Sequence, residues 1–429
     1  MDCEQFVLTN GLRIVYIEDK TIPTVHCGLM VNAGSRDERA KEHGLAHLIE
    51  HCLFKGTKNR RAFHILTRLD SVGGEINAYT TKEETCIYSS SLSEHFDRSA
   101  ELIADIVFHS TFPRREIEKE KSVVIDEINS YKESPDEMLL DEFESQLYPK
   151  SLLGRSILGT KASVSKFSEN SIAKFVDRLY TTDQMVFAVV GNVSSKKLIR
   201  FCKKHLETIP RNSRKSIDRN TPSRARFEIQ KNKSVHQLHA ILGGSTIGLN
   251  SEKRRTMVLL NNLLGGPALN SRLNMNIRER MGYCYYIESN YTPYSDTGLF
   301  QIYFGTDAKH ADRTSKLVQK ELLILMDKPL SDKALNAAKK QLLGQMALSQ
   351  EQRSNLMLSL AKSVLHFNRV DTYDQIQEKV NTITGADVQQ MAIDTFQPKD
   401  LSTLIYAPRK KSWTLSWPQS VSSSCVAGH

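Results

Sequence analysis

Three ionisable side chains within five positions are the first sign of chemistry in this 429-residue chain. They are His47, Glu50 and His51, in the apolar stretch HGLAHLIEHCLFKGT. On an α-helix, residues four apart project from one face, so both imidazoles can bind a single divalent ion. Glu50 is offset around the helix, which suits a proton-accepting base better than a ligand. Zinc is the expected ion, because imidazole and carboxylate ligands suit it and catalytic zinc sites combine three protein ligands with an open position for water.

A third ligand must come from elsewhere, and the acidic segment RREIEKEKSVVIDEINSYKE supplies candidates. Glu120 and Glu127 are seven residues apart and therefore close to one helix face after two turns. One of them could bind the metal while the other hydrogen-bonds a ligand histidine and fixes its tautomer. Asp126 points about a quarter-turn away and fits less well. His43 extends the histidine spacing, but an all-histidine site would leave Glu127 without a role.

A purely structural origin is the alternative for this motif. An HxxEH spacing can arise by chance, and single histidines on apolar helix faces are usually core residues. The spacing taken alone leaves metal binding and core packing both open.

Secondary-structure signals place the motif in the first of two similar halves. FVLTNGLRIVYIED predicts two strands around an Asn10-Gly11 turn, and TVHCGLMVNAGS and MVFAVVGNV predict further strands. Beyond the Gly73-Gly74 break, a strand pair is expected. The chain's longer predicted helices lie at about 95–110, 114–133, 169–179, 311–327 and 331–368. Past residue 235 a strand, two helices and two more strands repeat the earlier order.

This repeated order predicts an internal duplication joined by a basic, proline-containing connector. We expect an α+β fold of two homologous α/β halves of about 200 residues, each an antiparallel-rich sheet packed with helices. The expected domains are a catalytic zinc-binding domain (1–210), a basic linker (211–234), an inactive homologous domain (235–410) and a flexible tail (411–429).

The HLIEH motif, preceded by NAGSRDE, resembles the inverted zinc motif of the inverzincins. From Phe6 to about Ala407 the chain is similar to the pitrilysin-type metallopeptidases, within them to the mitochondrial processing peptidase-like group and its short bacterial members. The resemblance implies that Glu127, 76 residues after His51, is the third zinc ligand. It also implies that Glu120 is the accessory glutamate that supports a ligand histidine.

The same resemblance implies substrate contacts in both halves. GGEINAYTTKEET resembles the family's substrate-binding edge strand, with Asn77 and Ala78 where a peptide backbone would be hydrogen-bonded. IRERMGYCY resembles the family's arginine and tyrosine pair seven residues apart, which falls on Arg278 and Tyr285. Tyr283 is a nearby competitor for the tyrosine position.

What the resemblance implies for function is a zinc endopeptidase with one Zn²⁺ per chain. Glu50 would take a proton from the attacking water and deliver it to the departing amine, while Arg278 and Tyr285 would stabilise the oxyanion. The second half reads VLLNNLLGG in place of HxxEH, so it cannot form a like site. Similar proteins pair two chains into a clamshell. A homodimer would therefore complete each site in trans, and its enclosed chamber would favour small or unfolded peptides.

A non-catalytic partner subunit of a heteromeric peptidase is the alternative function, since this fold also serves structural roles. Such subunits usually lose part of the motif, and here every zinc and base position is filled.

Charge and cysteine usage bear on partners and compartment. Most of the net charge of +9 falls in 211–234 and at 409–411, without a recognition motif, so no nucleic-acid partner is expected. Seven scattered cysteines without CxxC spacing predict reduced thiols. We expect a cytoplasmic protein without a membrane partner, because neither a leader peptide nor an apolar run of about 18 residues is apparent.

Overall fold

The computed structural model describes residues 3–214 and 219–408. Its strands are β1 Cys3–Val7, β2 Arg13–Glu18, β3 Thr24–Val31, β4 Glu75–Thr80, β5 Thr85–Leu92, β6 Met185–Gly191, β7 Glu228–Lys233, β8 Leu238–Thr246, β9 Cys284–Pro293, β10 Gly298–Thr306 and β11 Ser402–Pro408. Its α-helices are α1 Leu45–Leu53, α2 Ala62–Asp70, α3 Phe96–His109, α4 Arg114–Tyr131, α5 Pro135–Leu147, α6 Lys161–Val164, α7 Glu169–Leu179, α8 Ser195–Phe201, α9 Arg254–Gly265, α10 Ala311–Asp327, α11 Asp332–Glu351, α12 Arg353–Phe367, α13 Tyr373–Asn381 and α14 Gly385–Thr395.

Packing divides the chain into two compact units, neither of which is continuous in sequence. Within the described residues, unit 1 takes 3–133, 151–214 and 344–376, and unit 2 takes 134–150, 219–343 and 377–408. The predicted domain limits divide the chain by its duplicated halves rather than by packing, at 1–210, 211–234 and 235–410. They stay a prediction. Packing crosses those limits twice, because 134–150 belongs to unit 2 and 344–376 to unit 1.

Unit 1 is built on a six-stranded sheet in the order β1-β2-β6-β3-β5-β4. β2 and β6 are parallel, and the other neighbours are antiparallel. The strand β6 is buried along its whole length, as its uninterrupted apolar sequence MVFAVVG requires. Among the described strands β4 is an edge strand that pairs with β5 alone, so its other side has no partner strand.

Helices from distant parts of the chain cover the two faces of this sheet. On one face, Phe187 and Val189 of β6 join the larger core, to which α1, α3, α4 and α7 contribute. On the other face, Val186 and Ala188 pack in a second core with residues of α12, which follows them by more than 160 positions. An ion pair between Arg353 and the buried Asp19, 2.7 Å apart, also holds the start of α12 to the end of β2.

The sheet of unit 2 repeats the topology of unit 1. Its order is β7-β11-β8-β10-β9, with β7 and β11 parallel and the other neighbours antiparallel. This order matches β2-β6-β3-β5-β4 strand for strand, including the position of the parallel pair. The predicted α+β fold of two homologous α/β halves is therefore confirmed. Here α5 packs against β8 and β11, and its Glu142 accepts a hydrogen bond from the Tyr406 hydroxyl.

Several sequence-predicted elements fold close to their expected limits, and two differ. The Asn10-Gly11 turn forms with Gly11 in the left-handed region (φ 89°). The helix predicted over 331–368 is divided between α11 and α12, because Gln352 is extended (φ −76°, ψ 99°). In the second half, the second of the two helices expected soon after residue 235 is mainly a short π-helical segment, Asn274–Glu279.

Some sequence-based expectations fall outside the described residues, namely those for 215–218 of the linker, the basic positions 409–411, Cys425 and the tail. Within the described ranges, no helix is long and apolar enough to cross a bilayer.

Candidate metal centre

The helix α1 carries the HLIEH motif, and a buried carboxylate fixes where it begins. Gly44 precedes the helix in the left-handed region (φ 89°) and offers no side-chain cap. The carboxylate of Glu38 instead accepts hydrogen bonds from the backbone N–H groups of Gly44 (3.0 Å) and Ala46 (2.9 Å). These are amide donors at the helix start that lack a partner within the helix. Burial raises the pKa of Glu38 to about 8, against the effect of those bonds.

His47 and His51 project from one face of α1, and Glu127 of α4 meets them. The two imidazole centroids are 4.7 Å apart. From Oε2 of Glu127, Nε2 of His47 lies at 3.7 Å and Nε2 of His51 at 3.5 Å. One possible ligand atom from each of the three residues lies within 4.8 Å of the other two. The helices α1 and α4 pack directly on each other, which brings the three side chains together.

Glu120 faces Nδ1 of His51, whereas Glu127 faces Nε2 of the same ring. Its Oε2 is 3.3 Å from Nδ1 of His51, and its Oε1 is 2.9 Å from Nζ of Lys55. The Glu120 side chain is 8% exposed, whereas that of Glu127 is 44% exposed. This arrangement separates the two carboxylates that the sequence could not tell apart, since Glu127 reaches both imidazoles and Glu120 reaches only one.

Two weaker candidates lie outside the cluster. Asp126 is exposed on α4 and is absent from the group of possible ligands among the described residues. His43 precedes α1, and its Nε2 lies 3.0 Å from the carbonyl oxygen of Ser156. Its imidazole therefore has a structural partner in the loop before α6.

The environment of His47 favours the neutral imidazole. Burial, and to a smaller extent the charge of His51, lower its pKa to about 4. Nδ1 of His47 is buried and has no hydrogen-bond partner among the described residues. A neutral ring keeps a lone pair for a metal ion, whereas a protonated ring has none.

Glu50 sits in a partly buried position next to these residues. Burial raises its pKa, while the nearby Thr80 side chain and the charge of His51 lower it. The charge of Glu127 raises it again. Glu50 thus faces the end of β4 on one side and the cluster on the other. A carboxylate in such surroundings can both accept and return a proton.

Asn77 and Ala78 lie on the open edge of unit 1. Both belong to β4, opposite Tyr88 and Ile87 of β5. Asn77 is exposed, and its Oδ1 accepts a hydrogen bond from the N–H of Ala78 (2.8 Å). The side chain of Asn77 therefore occupies a backbone donor that an added strand would use.

Arg278 and Tyr285 belong to unit 2. Arg278 is in the π-helical segment, with a side chain 41% exposed, and its Nη1 donates to Oδ1 of Asn274 (3.3 Å). Tyr285, at the start of β9, is 61% exposed. The ring of Tyr283 instead stacks on His310 at 4.8 Å. Of the two tyrosines, Tyr285 is the one with a ring open to solvent.

Comparison with known proteins shows where this geometry belongs. The family model described as "Insulinase (Peptidase family M16)" matches residues 13–161, and the model described as "Peptidase M16 inactive domain" matches residues 166–342. The uncharacterized zinc protease YmxG of Bacillus subtilis is 32% identical over 94% of this chain and 98% of its own length. The chain belongs to peptidase family M16.

Further similarities agree with the M16 assignment. An uncharacterized zinc protease of Rickettsia bellii is 30% identical over 93% of this chain and 96% of its own. The crystal structure of a protease from Helicobacter pylori superposes with a TM-score of 0.88, covering 95% of this chain and 99% of the other. At 22% identity, that likeness shows a shared fold. The resemblance to pitrilysin-type metallopeptidases is thus confirmed at the level of the family.

Sequence reasoning missed three residues that the structure places around the M16 motif. They are Glu38 at the start of α1, Lys55 just beyond its end, and Thr80 beside Glu50. Lys55 stands four residues after His51, close enough for the sequence to have suggested it. Glu38 and Thr80 lie in the quoted stretches NAGSRDE and GGEINAYTTKEET, but no spacing rule links either of them to the motif.

Proposed function

We propose that this M16 chain is a zinc-dependent endopeptidase that hydrolyses small or unfolded peptides. The observation that carries the proposal is the meeting of His47, His51 and Glu127 from two separate helices. Two imidazoles and one carboxylate are a ligand set of catalytic zinc in peptidases. Relatives that match nearly the full chain carry the name zinc protease, which supports the same reading.

The donor set fits one zinc ion held by His47, His51 and Glu127. His47 is buried, with a pKa lowered to about 4, so its ring is neutral and ready to bind metal near pH 7. Since Nδ1 of His51 faces Glu120, its Nε2 is the nitrogen left for the metal. When bound, zinc would supply Lewis acidity, which acidifies water and polarises a carbonyl group.

Glu50 is the residue that we assign to proton transfer. Its carboxylate lies beside His51 and Glu127 without joining their ligand cluster. Burial raises its pKa and so strengthens it as a proton acceptor. In our proposal it takes the proton of the attacking water and passes it to the amine of the departing peptide.

Peptides would bind by adding a strand to β4. The strand lies at the edge of the sheet and ends at Thr80, next to Glu50, so a peptide along it would reach the proton-transfer group. Such pairing uses backbone groups and requires an extended substrate, which an unfolded chain provides. Binding would also displace the Asn77 side chain from the N–H of Ala78.

Arg278 and Tyr285 would stabilise the developing oxyanion, and we propose that they act in trans within a homodimer. Both side chains are substantially exposed in unit 2 and free to approach a second copy. The guanidinium group and the phenol are each suitable oxyanion donors. The helix α9, which occupies in unit 2 the place that α1 has in unit 1, lacks the HxxEH motif, so each chain would hold one zinc ion.

The first test compares the wild type with Glu50→Gln. Both proteins should bind about one zinc per chain after metal loading, because Glu50 is not a ligand. Only the wild type should cleave a library of unstructured peptides, followed by mass spectrometry. Zinc binding without cleavage in the wild type would favour the non-catalytic partner subunit, and a metal-free wild type would refute the proposal.

The second test addresses sharing between chains. Glu50→Gln and Arg278→Ala proteins are mixed in equal amounts and allowed to exchange subunits. Half of the dimers are then mixed, and each mixed dimer contains one intact site, so about a quarter of wild-type activity should return. Mixed dimers that form and stay inactive would contradict action in trans.

A further inference from the structure

Building on the proposed function, we infer that Lys55 is a positioning residue for the metal centre. In the part of the chain that the structure describes, its ammonium group pairs with Glu120 rather than with a ligand atom, so it acts through that carboxylate. Nζ of Lys55 is 2.9 Å from Oε1 of Glu120, and Oε2 of the same carboxylate is 3.3 Å from Nδ1 of His51. The three side chains thus form a continuous chain that ends at the imidazole.

The backbone around Lys55 fixes the start of this chain. Lys55 follows the end of α1, and its N–H donates to the carbonyl oxygen of Cys52 (3.1 Å). Its side chain is 26% exposed, so the stem packs on the protein while the ammonium group reaches α4. One helix therefore carries His51 and also positions the cation that holds the opposing carboxylate.

The two oxygens of Glu120 explain why a cation is needed there. The Glu120 side chain is 8% exposed, and a carboxylate taken from water requires a charged or hydrogen-bonding partner for each oxygen. His51 provides a partner for one oxygen and Lys55 for the other. Without Lys55, the carboxylate could turn toward water, and the imidazole would lose the acceptor that orients it.

The other imidazole makes this support more important. Nδ1 of His47 has no hydrogen-bond partner among the described residues. Of the two imidazoles, His51 is therefore the one whose Nδ1 is oriented by a described partner, Glu120, which Lys55 holds in turn. A substitution at Lys55 should therefore change metal binding, even though the Glu120 side chain lies between Lys55 and the nearest ligand, His51.

The test measures zinc affinity directly, by competition with a chromophoric chelator. Lys55→Met keeps the length of the stem and removes the charge, and Lys55→Arg keeps the charge. Lys119→Met is the control, because Lys119 makes a similar ion pair with Glu116 (2.7 Å) on α4, but its side chain is 54% exposed and, among the described residues, Glu116 contacts no ligand histidine. Lys55→Met should bind zinc about tenfold more weakly than the wild type, and the other two should stay within about threefold.

A second readout separates positioning from a general loss of stability. In cobalt-substituted protein, Lys55→Met should shift the visible absorption bands of the metal, because those bands report ligand geometry. Zinc affinity and cobalt spectra that are equal in Lys55→Met and Lys119→Met would overturn the role of Lys55. An equal loss in Lys55→Arg and Lys55→Met would overturn it as well, since charge would then be irrelevant. A wild type that binds no zinc would refute the proposed function itself.

Discussion

Acid should destabilise the metal-free protein through one buried imidazole. Burial lowers the pKa of His47 to about 4 in the folded chain, whereas an unperturbed histidine titrates near 6.5. The unfolded chain therefore binds this proton at a higher pH than the folded chain does. The stability contributed by neutral His47 is fully present above about pH 6.5 and is lost as the pH falls toward 4. A shift of about 2.5 pKa units corresponds to about 3 kcal/mol.

Two measurements check this expectation. NMR titration of the histidine rings, with the His47 signal assigned from a His47→Gln variant, should give a pKa near 4. Urea midpoints at pH 7 and pH 4.5 should differ more for the wild type than for His47→Gln, because glutamine does not titrate. A His47 ring that titrates close to 6.5, or equal acid sensitivity in both proteins, would refute the reasoning.

Three further predictions concern the metal centre, the oxyanion group and the start of α1. Glu120→Gln should weaken zinc binding about 10–100-fold in chelator competition, because a carboxamide turns its NH₂ toward one of two neighbouring donors; a loss below about threefold would contradict this. Tyr285→Phe should lower kcat about 100-fold, whereas Tyr283→Phe should change kcat by no more than about twofold. A larger loss in Tyr283→Phe than in Tyr285→Phe would show that the wrong tyrosine was chosen. Gly44→Ala should lower the thermal midpoint more than Gly73→Ala. Both positions have positive φ, but only at Gly44 would a Cβ meet backbone, at 2.7 Å; equal losses would argue against that contact.

The sequence was most informative where the spacing of residues along one helix determines their geometry. His47 and His51 had to share a face, and the turn at Asn10-Gly11 had to reverse the chain. The choice between Glu120 and Glu127 needed the family resemblance, because both lie near one face of the same helix. The structure separates them by the nitrogens they face, because Glu127 lies near Nε2 of both imidazoles and Glu120 lies near Nδ1 of His51 alone.

Contacts that follow no regular spacing were beyond the sequence. Glu38 caps α1 from six residues before Gly44, and Thr80 reaches Glu50 from the end of a strand. Neither follows a local spacing rule. The division of the 331–368 helix at Gln352 is similar, since no proline or glycine marks the break.

The placement of α12 has a consequence for synthesis on the ribosome. Every zinc-site residue named in unit 1 lies within the first 127 positions, yet among the described residues the core on the second face of its sheet is completed by α12 and by Val370. Until those residues leave the exit tunnel, the apolar side chains Val186, Ala188 and Val190 have no helix over them. Unit 1 therefore cannot complete its folding early in translation, and the nascent chain must be kept from aggregating until most of it has emerged.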